Sequence, residues 1–553
     1  MTATHKHIQP FLKILCITIL ILLTLFSGYL WLVSLFQTAD FIDIETTVYF
    51  NDSPWAHILA LFVVLAILLF SQDQLKKMNS KRLSILTVGL MFFAAVGLIA
   101  ITRVQPSADQ QYVLDAARAI NQGELDDLML GGYLSNNPHQ LGLTLIFQLC
   151  NLIAGTGADV FLIQGLNAIA IAVSVYGLYK LTELLFQDKA VSILFLALIF
   201  CFPQLTLYVT FVYGNAMSLS LSLLATLYAI KYLRKRRIRH GLLSVLLVAF
   251  AAVIRQNNLI VIAAIAIVYF IDAVWGHRAA VPTPKKAEQA EPSAEPPSKK
   301  SKAAYSRRFC QPRLNSWLIL VLTVSISPIL QWGITSCYEN LAQRKLDESI
   351  PSIMYIAMGL QDGGLAPGWW NGYVPGEFVA QYWGAEPSSR AAKKSIEQSL
   401  EHFYKDPAYA VNFFYQKTAS MWINPTFQSF WISTALRESA ITNTAFAQNL
   451  YHGNLNHFLT GLMNIIQSLV LCGVVAYCVF AFIYRRCHLF ELLPPLIFIG
   501  GFLFHLVWEA KGQYALPYFV LLLPYAAYGL LKLASSCSVF IKKLSESSLC
   551  KKP

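Results

Sequence analysis

A chain of 553 residues that is 56% hydrophobic, with a mean hydropathy of +0.51, lies outside the range of soluble globular domains and is an integral membrane protein. Its net charge of +12 fits the lysine- and arginine-rich cytoplasmic loops of such a protein and not a nucleic-acid partner. Ten cysteines make no disulfide framework, because Cys16, Cys201, Cys472 and Cys478 lie inside apolar runs and Cys310, Cys487, Cys537 and Cys550 in or near basic segments; no CxxC or HExxH spacing offers a metal motif.

The first apolar run, Phe11 to Phe36, is too long for a signal-peptide core and is followed by no small-residue cleavage site, so it reads as a retained membrane helix. Further runs long enough to cross begin near residues 56, 84, 160, 190, 214, 241, 258, 315, 455, 488 and 514. The basic linkers 71–82, 231–240, 276–313 and 484–488, with the lysine-rich tail, are expected in the cytoplasm. The tract 276–313 carries nine Lys/Arg against three Glu, whereas residues 338–454 carry eight Lys/Arg against ten Asp/Glu, so the second belongs outside. The run 137–155 is counted as an amphipathic helix at the outer interface, since a crossing there would put KYLRKRRIRH on the wrong face. The expected fold is all-α and polytopic, with about twelve membrane helices and both termini in the cytoplasm. Loops 103–157, 208–218, 338–454 and 508–514 then share the outer face.

Those outer segments hold the unusual polar residues. Asp109 precedes a helical pattern in which Tyr112, Ala116, Ala119 and Ile120 share a face, so it is either an N-cap or a carboxylate exposed at the helix start. Arg255 falls at the outer end of a crossing, against the positive-inside bias; it either snorkels to headgroups or marks a substrate path. Glu509 and Lys511 begin the last crossing, where residues two apart on a helix do not face each other, so a direct bridge between them is not expected. Two outer cations and a carboxylate fit attack by a hydroxyl on a sugar carried by a lipid phosphate. The leaving phosphate needs no proton, so one carboxylate suffices as general base, and Arg and Lys hold the phosphate. Tyr112, Tyr133, Trp369, Trp370, Tyr373 and Trp508 are candidates to stack on sugar rings, with interfacial belts or loop packing as the competing reading. His139 and His505 read as hydrogen-bonded interfacial residues.

The chain resembles the GT-C membrane glycosyltransferases, especially bacterial members similar to protein O-mannosyltransferases and the lipid A aminoarabinose transferase. The resemblance rests on ADQQY after a hydrophobic helix, on GGYLSNNPHQLGLTLIFQL, and on the late E-x-K-x-x-Y of Glu509, Lys511 and Tyr514, and covers residues 84–274 and 488–534. It implies a GT-C-like fold with interfacial helices in the first outer loop, Asp109 as the catalytic carboxylate and a polyprenyl-phosphate sugar as donor; the candidate substrate-binding residues are then Arg255, Glu509, Lys511, Tyr514, His139 and Tyr112. Two departures stand out: Gln110 where the family often has Glu, and Asn215 where many members carry an acidic residue. With few carboxylates to ligate a hard cation, metal-independent transfer and no cofactor are expected.

The implied division is 1–83, N-terminal helices; 84–274, catalytic membrane core; 275–313, disordered basic linker; 314–337, one helix; 338–454, an outer segment shaping the acceptor site; 455–534, C-terminal helices; and 535–553, a tail. The partners expected are the donor, an envelope acceptor that is protein, lipid or polysaccharide, and membrane lipids, in a cell membrane of bacterial type. Two other functions compete. A lipid-diphosphate-dependent polysaccharide polymerase or ligase would want more outer cations, for which Arg103, Arg118 and His139 are candidates, and a lipid-sugar transporter would want inverted repeats and ionisable groups inside its spans.

Overall fold

The computed structural model describes residues 3–42, 46–275, 299–346, 348–434, 444–484 and 488–549. Each of the twelve apolar runs is helical. Among the described residues ten helices are long and apolar enough to cross a membrane, from Phe11–Phe36 to Gly512–Ser538. An eleventh crossing is the bent pair Lys189–Phe200 and Gln204–Thr210, which turns by 50° where Pro203 interrupts the backbone ladder. The twelfth run, Ile238–Ile254, has 17 residues and is about 25 Å long, short of the ~30 Å hydrocarbon core.

The run 137–155 forms no helix long enough to cross. It forms a helix, Leu141–Ala154, whose 14 residues reach only about 21 Å. Leu143, Thr144, Phe147 and Cys150 are buried on one face, while Leu149, Leu152 and Ile153 on the other are exposed. A short helix apolar on both faces, with only one of them packed on protein, suits a membrane interface.

Of the basic tract, residues 276–298 lie outside the described residues. Residues 299–313, read from sequence as disordered linker, are helical and continuous with the next crossing in Lys299–Ala342. The tail is likewise helical to Leu549.

Between the first two crossings stands an antiparallel hairpin, Gln37–Ile42 with Thr46–Asn51, in which Gln37 pairs Asn51 and Ile42 pairs Thr46. Its TTVYFN, rich in β-branched and aromatic residues, favours a strand. The hairpin holds the segment 338–454 to the bundle: Tyr49 Oη donates to the Gln416 carbonyl at 2.9 Å, Thr47 N to that of Leu365 at 3.1 Å, and Phe41 packs on Trp369.

Segment 338–454 is built from short helices, the longest being Ala385–Lys405 and Pro407–Trp422. Asp406 caps the second through Tyr409 N at 3.0 Å. Beyond Trp422 the chain plunges into a buried turn, Ile423–Phe430. There Asn424 binds the hairpin carbonyl of Ala39 at 2.8 Å, and Gln428 Oε1 accepts the Gln513 N–H at 3.0 Å. This turn satisfies a backbone donor at the start of the helix Gly512–Phe519 and so fixes where the last crossing begins.

Candidate active site

Asp109 is not an N-cap. It is the first residue of the helix Asp109–Asn121, and the capping position is Ala108, at φ 52° and ψ −134° with no side-chain capping bond. A non-glycine residue at positive φ costs about 1–3 kcal/mol and persists only where its surroundings impose it. Here it turns the Asp109 carboxylate out of the helix start, where the helix dipole favours negative charge. The expected shared face also shifts: Val113, Leu114, Ala116, Ala117 and Ile120 are buried, whereas Tyr112 is 59% exposed and packs on Tyr133.

The second loop meets Asp109 through Tyr213, whose hydroxyl donates to Asp109 Oδ2 at 3.3 Å and accepts from Gln140 Nε2 at 2.7 Å. Burial first, and then the Asp109 charge, push that phenol up to about 12, so it stays a donor. Gln110 sets the register of this loop. Its Oε1 accepts the Val212 N–H at 2.9 Å and its Nε2 donates to the Ile432 carbonyl at 3.2 Å. The amide that stands where the family often has Glu is therefore a buried strut. Asn215 is also buried and donates to Gln513 Oε1 at 3.4 Å.

Arg255 ends the helix Ile238–Ile254 in an extended conformation, and its guanidinium lies 4.2 Å from the centre of the Tyr213 ring. Asn258 Nδ2 holds the break by donating to the carbonyls of Ala251 and Arg255. The first-loop helix comes close enough to use this corner only because residue 142 is glycine. A Cβ there would lie 2.3 Å from the Val253 carbonyl oxygen. His139 faces the same corner, and burial, then the Arg255 charge, push its imidazole down to about 4, so it is neutral at pH 7.

Glu509 and Lys511 do face each other, with Lys511 Nζ 3.9 Å from Glu509 Oε1, contrary to the expectation from helical spacing. The helix begins only at Gly512, and Lys511 is extended at φ −153°, ψ 138°, so the period is two and the side chains fall on one side. Glu509 Oε2 also accepts from Tyr514 Oη at 3.2 Å, and His505 Nδ1 meets the Glu509 carbonyl at 3.2 Å.

All seven residues singled out in the sequence, Asp109, Tyr112, His139, Arg255, Glu509, Lys511 and Tyr514, line one cavity of about 480 Å³. Tyr133, Trp370 and Trp508 join them as expected, but Trp369 and Tyr373 do not. Trp369 is fully buried and spends its indole N–H on Ser420 Oγ at 2.7 Å. Sequence reasoning missed Tyr213 and Tyr355, the latter stacked on Trp508 with ring centres 5.5 Å apart. A smaller space of about 50 Å³ reaches Asp109, Tyr213 and Lys511 from beside Trp431 and Ile432. Among the described residues no group of three His, Cys, Asp or Glu side chains is placed to hold a metal ion. A cavity walled by aromatic rings, with two carboxylates that each accept from a phenol and two cations, has the parts to bind a sugar phosphate and to take a proton from a hydroxyl.

Residues 139–286 match the family model described as Dolichyl-phosphate-mannose-protein mannosyltransferase. The matched stretch takes in His139, Tyr213 and Arg255 and leaves out segment 338–454 and Glu509 to Lys511. No curated protein matches the chain. Among solved structures the chain is similar to archaeal oligosaccharyltransferase AglB from Archaeoglobus fulgidus, in complex with an inhibitory peptide and a dolichol-phosphate, at 13% identity and a TM-score of 0.41. The alignment covers 86% of this chain and 52% of that one, so the chain spans about half the length of that structure.

Proposed function

We propose that this chain, a membrane glycosyltransferase of the GT-C type, moves a sugar from a polyprenyl-phosphate donor to a hydroxyl acceptor at the extracytoplasmic face. One observation carries the reading: both carboxylates, both cations and the aromatic rings come from segments between positions 109 and 514 and line a single cavity. In the reaction the acceptor oxygen forms a bond to the anomeric carbon, and its proton passes to Asp109. The bond from that carbon to the phosphate oxygen breaks, and its electron pair leaves with the phosphate. Arg255 and Lys511 hold the phosphate and stabilise its growing charge, as charge-assisted donors do. Glu509 orients Lys511, and neutral His139, Tyr112 and Tyr514 contact the sugar. Segment 338–454 shapes the acceptor side, for which Ile350, Tyr355, Trp370 and Phe378 on the cavity wall are the support. No cofactor takes part, both termini lie in the cytoplasm, and the envelope is of bacterial type.

Purified protein given a panel of polyprenyl-phosphate sugars and envelope extract tests this. Polyprenyl phosphate should be released by wild type and not by Asp109→Asn. Consumption of lipid diphosphates alone would instead support the polymerase or ligase reading.

A further inference from the structure

Lys417 is fully buried in the helix Pro407–Trp422 and does not line the cavity. Its ammonium donates to the carbonyl of Gly359 and, at 2.8 Å, to that of Trp508, with the charge of Glu509 beside it. Those two carbonyls belong to different walls of the site. Gly359 ends the helix Ser352–Gly359, which carries Ser352 and Tyr355; Trp508 leads into the extended segment with Glu509 and Lys511.

Two glycines let the backbone close tightly around that ammonium. A Cβ at Gly368, whose φ is +74°, would lie 2.7 Å from Lys417 Nζ, and one at Gly359 would lie 2.5 Å from the Val507 carbonyl oxygen. Ala510 N donates to the Gly368 carbonyl at 2.8 Å, a second tie between the same two walls. Burying an ammonium is costly unless its donors are engaged, and a residue needed only to fill this space would be apolar.

We propose that Lys417 is a positioning residue, clamping the segment Trp508–Lys511 to segment 338–454 so that Glu509 and Lys511 are presented to the donor. This rests on the reading of Lys511 as a phosphate ligand. The clamp acts on the transition state through Lys511, so its loss lowers kcat more than it alters the donor KM.

The test uses the full chain in detergent and pairs hydrogen exchange with kinetics on the best polyprenyl-phosphate sugar. In Lys417→Met the Ala510 amide should exchange roughly tenfold faster, because a charge-assisted tie is gone. Its kcat should fall by roughly ten- to a hundredfold while the donor KM changes less than about threefold. A folded Lys417→Met with wild-type exchange and wild-type kcat overturns the proposal. If that variant does not accumulate, Gly368→Ala, whose methyl crowds both the Gly359 carbonyl and Nζ of the clamp and leaves the lysine in place, must lower kcat in the same way; wild-type kinetics there overturn it. If wild type turns over no donor, the reading of the site fails, and the Ala510 exchange rate still decides whether Lys417 clamps the segment.

Discussion

The Tyr213 hydroxyl donates to Asp109 Oδ2 at 3.3 Å while the face of the same ring carries Arg255, so one residue of the second loop aligns the proposed base with a proposed phosphate ligand. Tyr213→Phe removes the donation and keeps the ring. We expect kcat to fall about tenfold, with the donor KM little changed, because the guanidinium keeps its platform. Gln140 loses its hydroxyl partner as well, which costs about 1–3 kcal/mol of stability. Steady-state kinetics and a thermal melt read the two effects separately, and an unchanged kcat refutes the alignment role.

Lys417 gives the site a pH dependence with opposite signs for activity and stability. Burial pushes its ammonium down to about 7, against the pull of Glu509; His505 is the other titratable group facing it. As pH rises through about 7 the charge is lost and transfer should decline. An unfolded lysine keeps its proton to about 10.4, so between these values the unfolded chain binds more protons and this group's contribution to stability rises with pH. Activity should therefore fall between about pH 7 and 9 with no fall in melting temperature from this group, and Lys417→Met should flatten that limb. A basic limb retained in the variant assigns the titration elsewhere.

Gly142 tests the corner where the first-loop helix meets Arg255. A methyl group there collides with the Val253 carbonyl, a backbone atom that yields little. Gly142→Ala should lose about 1–3 kcal/mol of stability through overpacking. It should also raise the donor KM, since Arg255 lies two residues beyond the displaced carbonyl; a neutral effect on both would show that the corner gives way easily.

Metal-independent transfer predicts full activity in excess EDTA without added divalent cation. Loss of activity restored by magnesium or manganese would place a cation in the cavity with Asp109 or Glu509.

Much of this arrangement is legible in the sequence because it depends on residue type and spacing along the chain. The twelve apolar runs, the short helix in 137–155 and the seven polar residues all carry such signals. Other parts depend on partners far away in sequence. Lys417 in FFYQKTASMW reads as an ordinary lysine on an amphipathic helix, because the Trp508 carbonyl that it binds lies 91 residues away. Tyr213 reads as a loop aromatic until Gln110 pins its loop to the first. The Glu509 and Lys511 spacing misleads for a local reason: helical spacing applied to a pair at the start of the last crossing separates them, whereas the chain stays extended until Gly512. The strand Thr46–Asn51 carries β-branched and aromatic residues, a signal that the hydropathy of its neighbours overshadows.

The most direct measurement is polyprenyl phosphate released from polyprenyl-phosphate sugars by wild type, Asp109→Asn and Lys511→Ala, with donor binding measured on the same preparations. We expect release by wild type, a loss of roughly 10²–10⁴-fold in Asp109→Asn with donor still bound, and a deficit in Lys511→Ala from a weakened hold on the leaving phosphate. Release by Asp109→Asn at the wild-type rate would contradict this reading, because no carboxylate at position 109 would then be needed to take the proton.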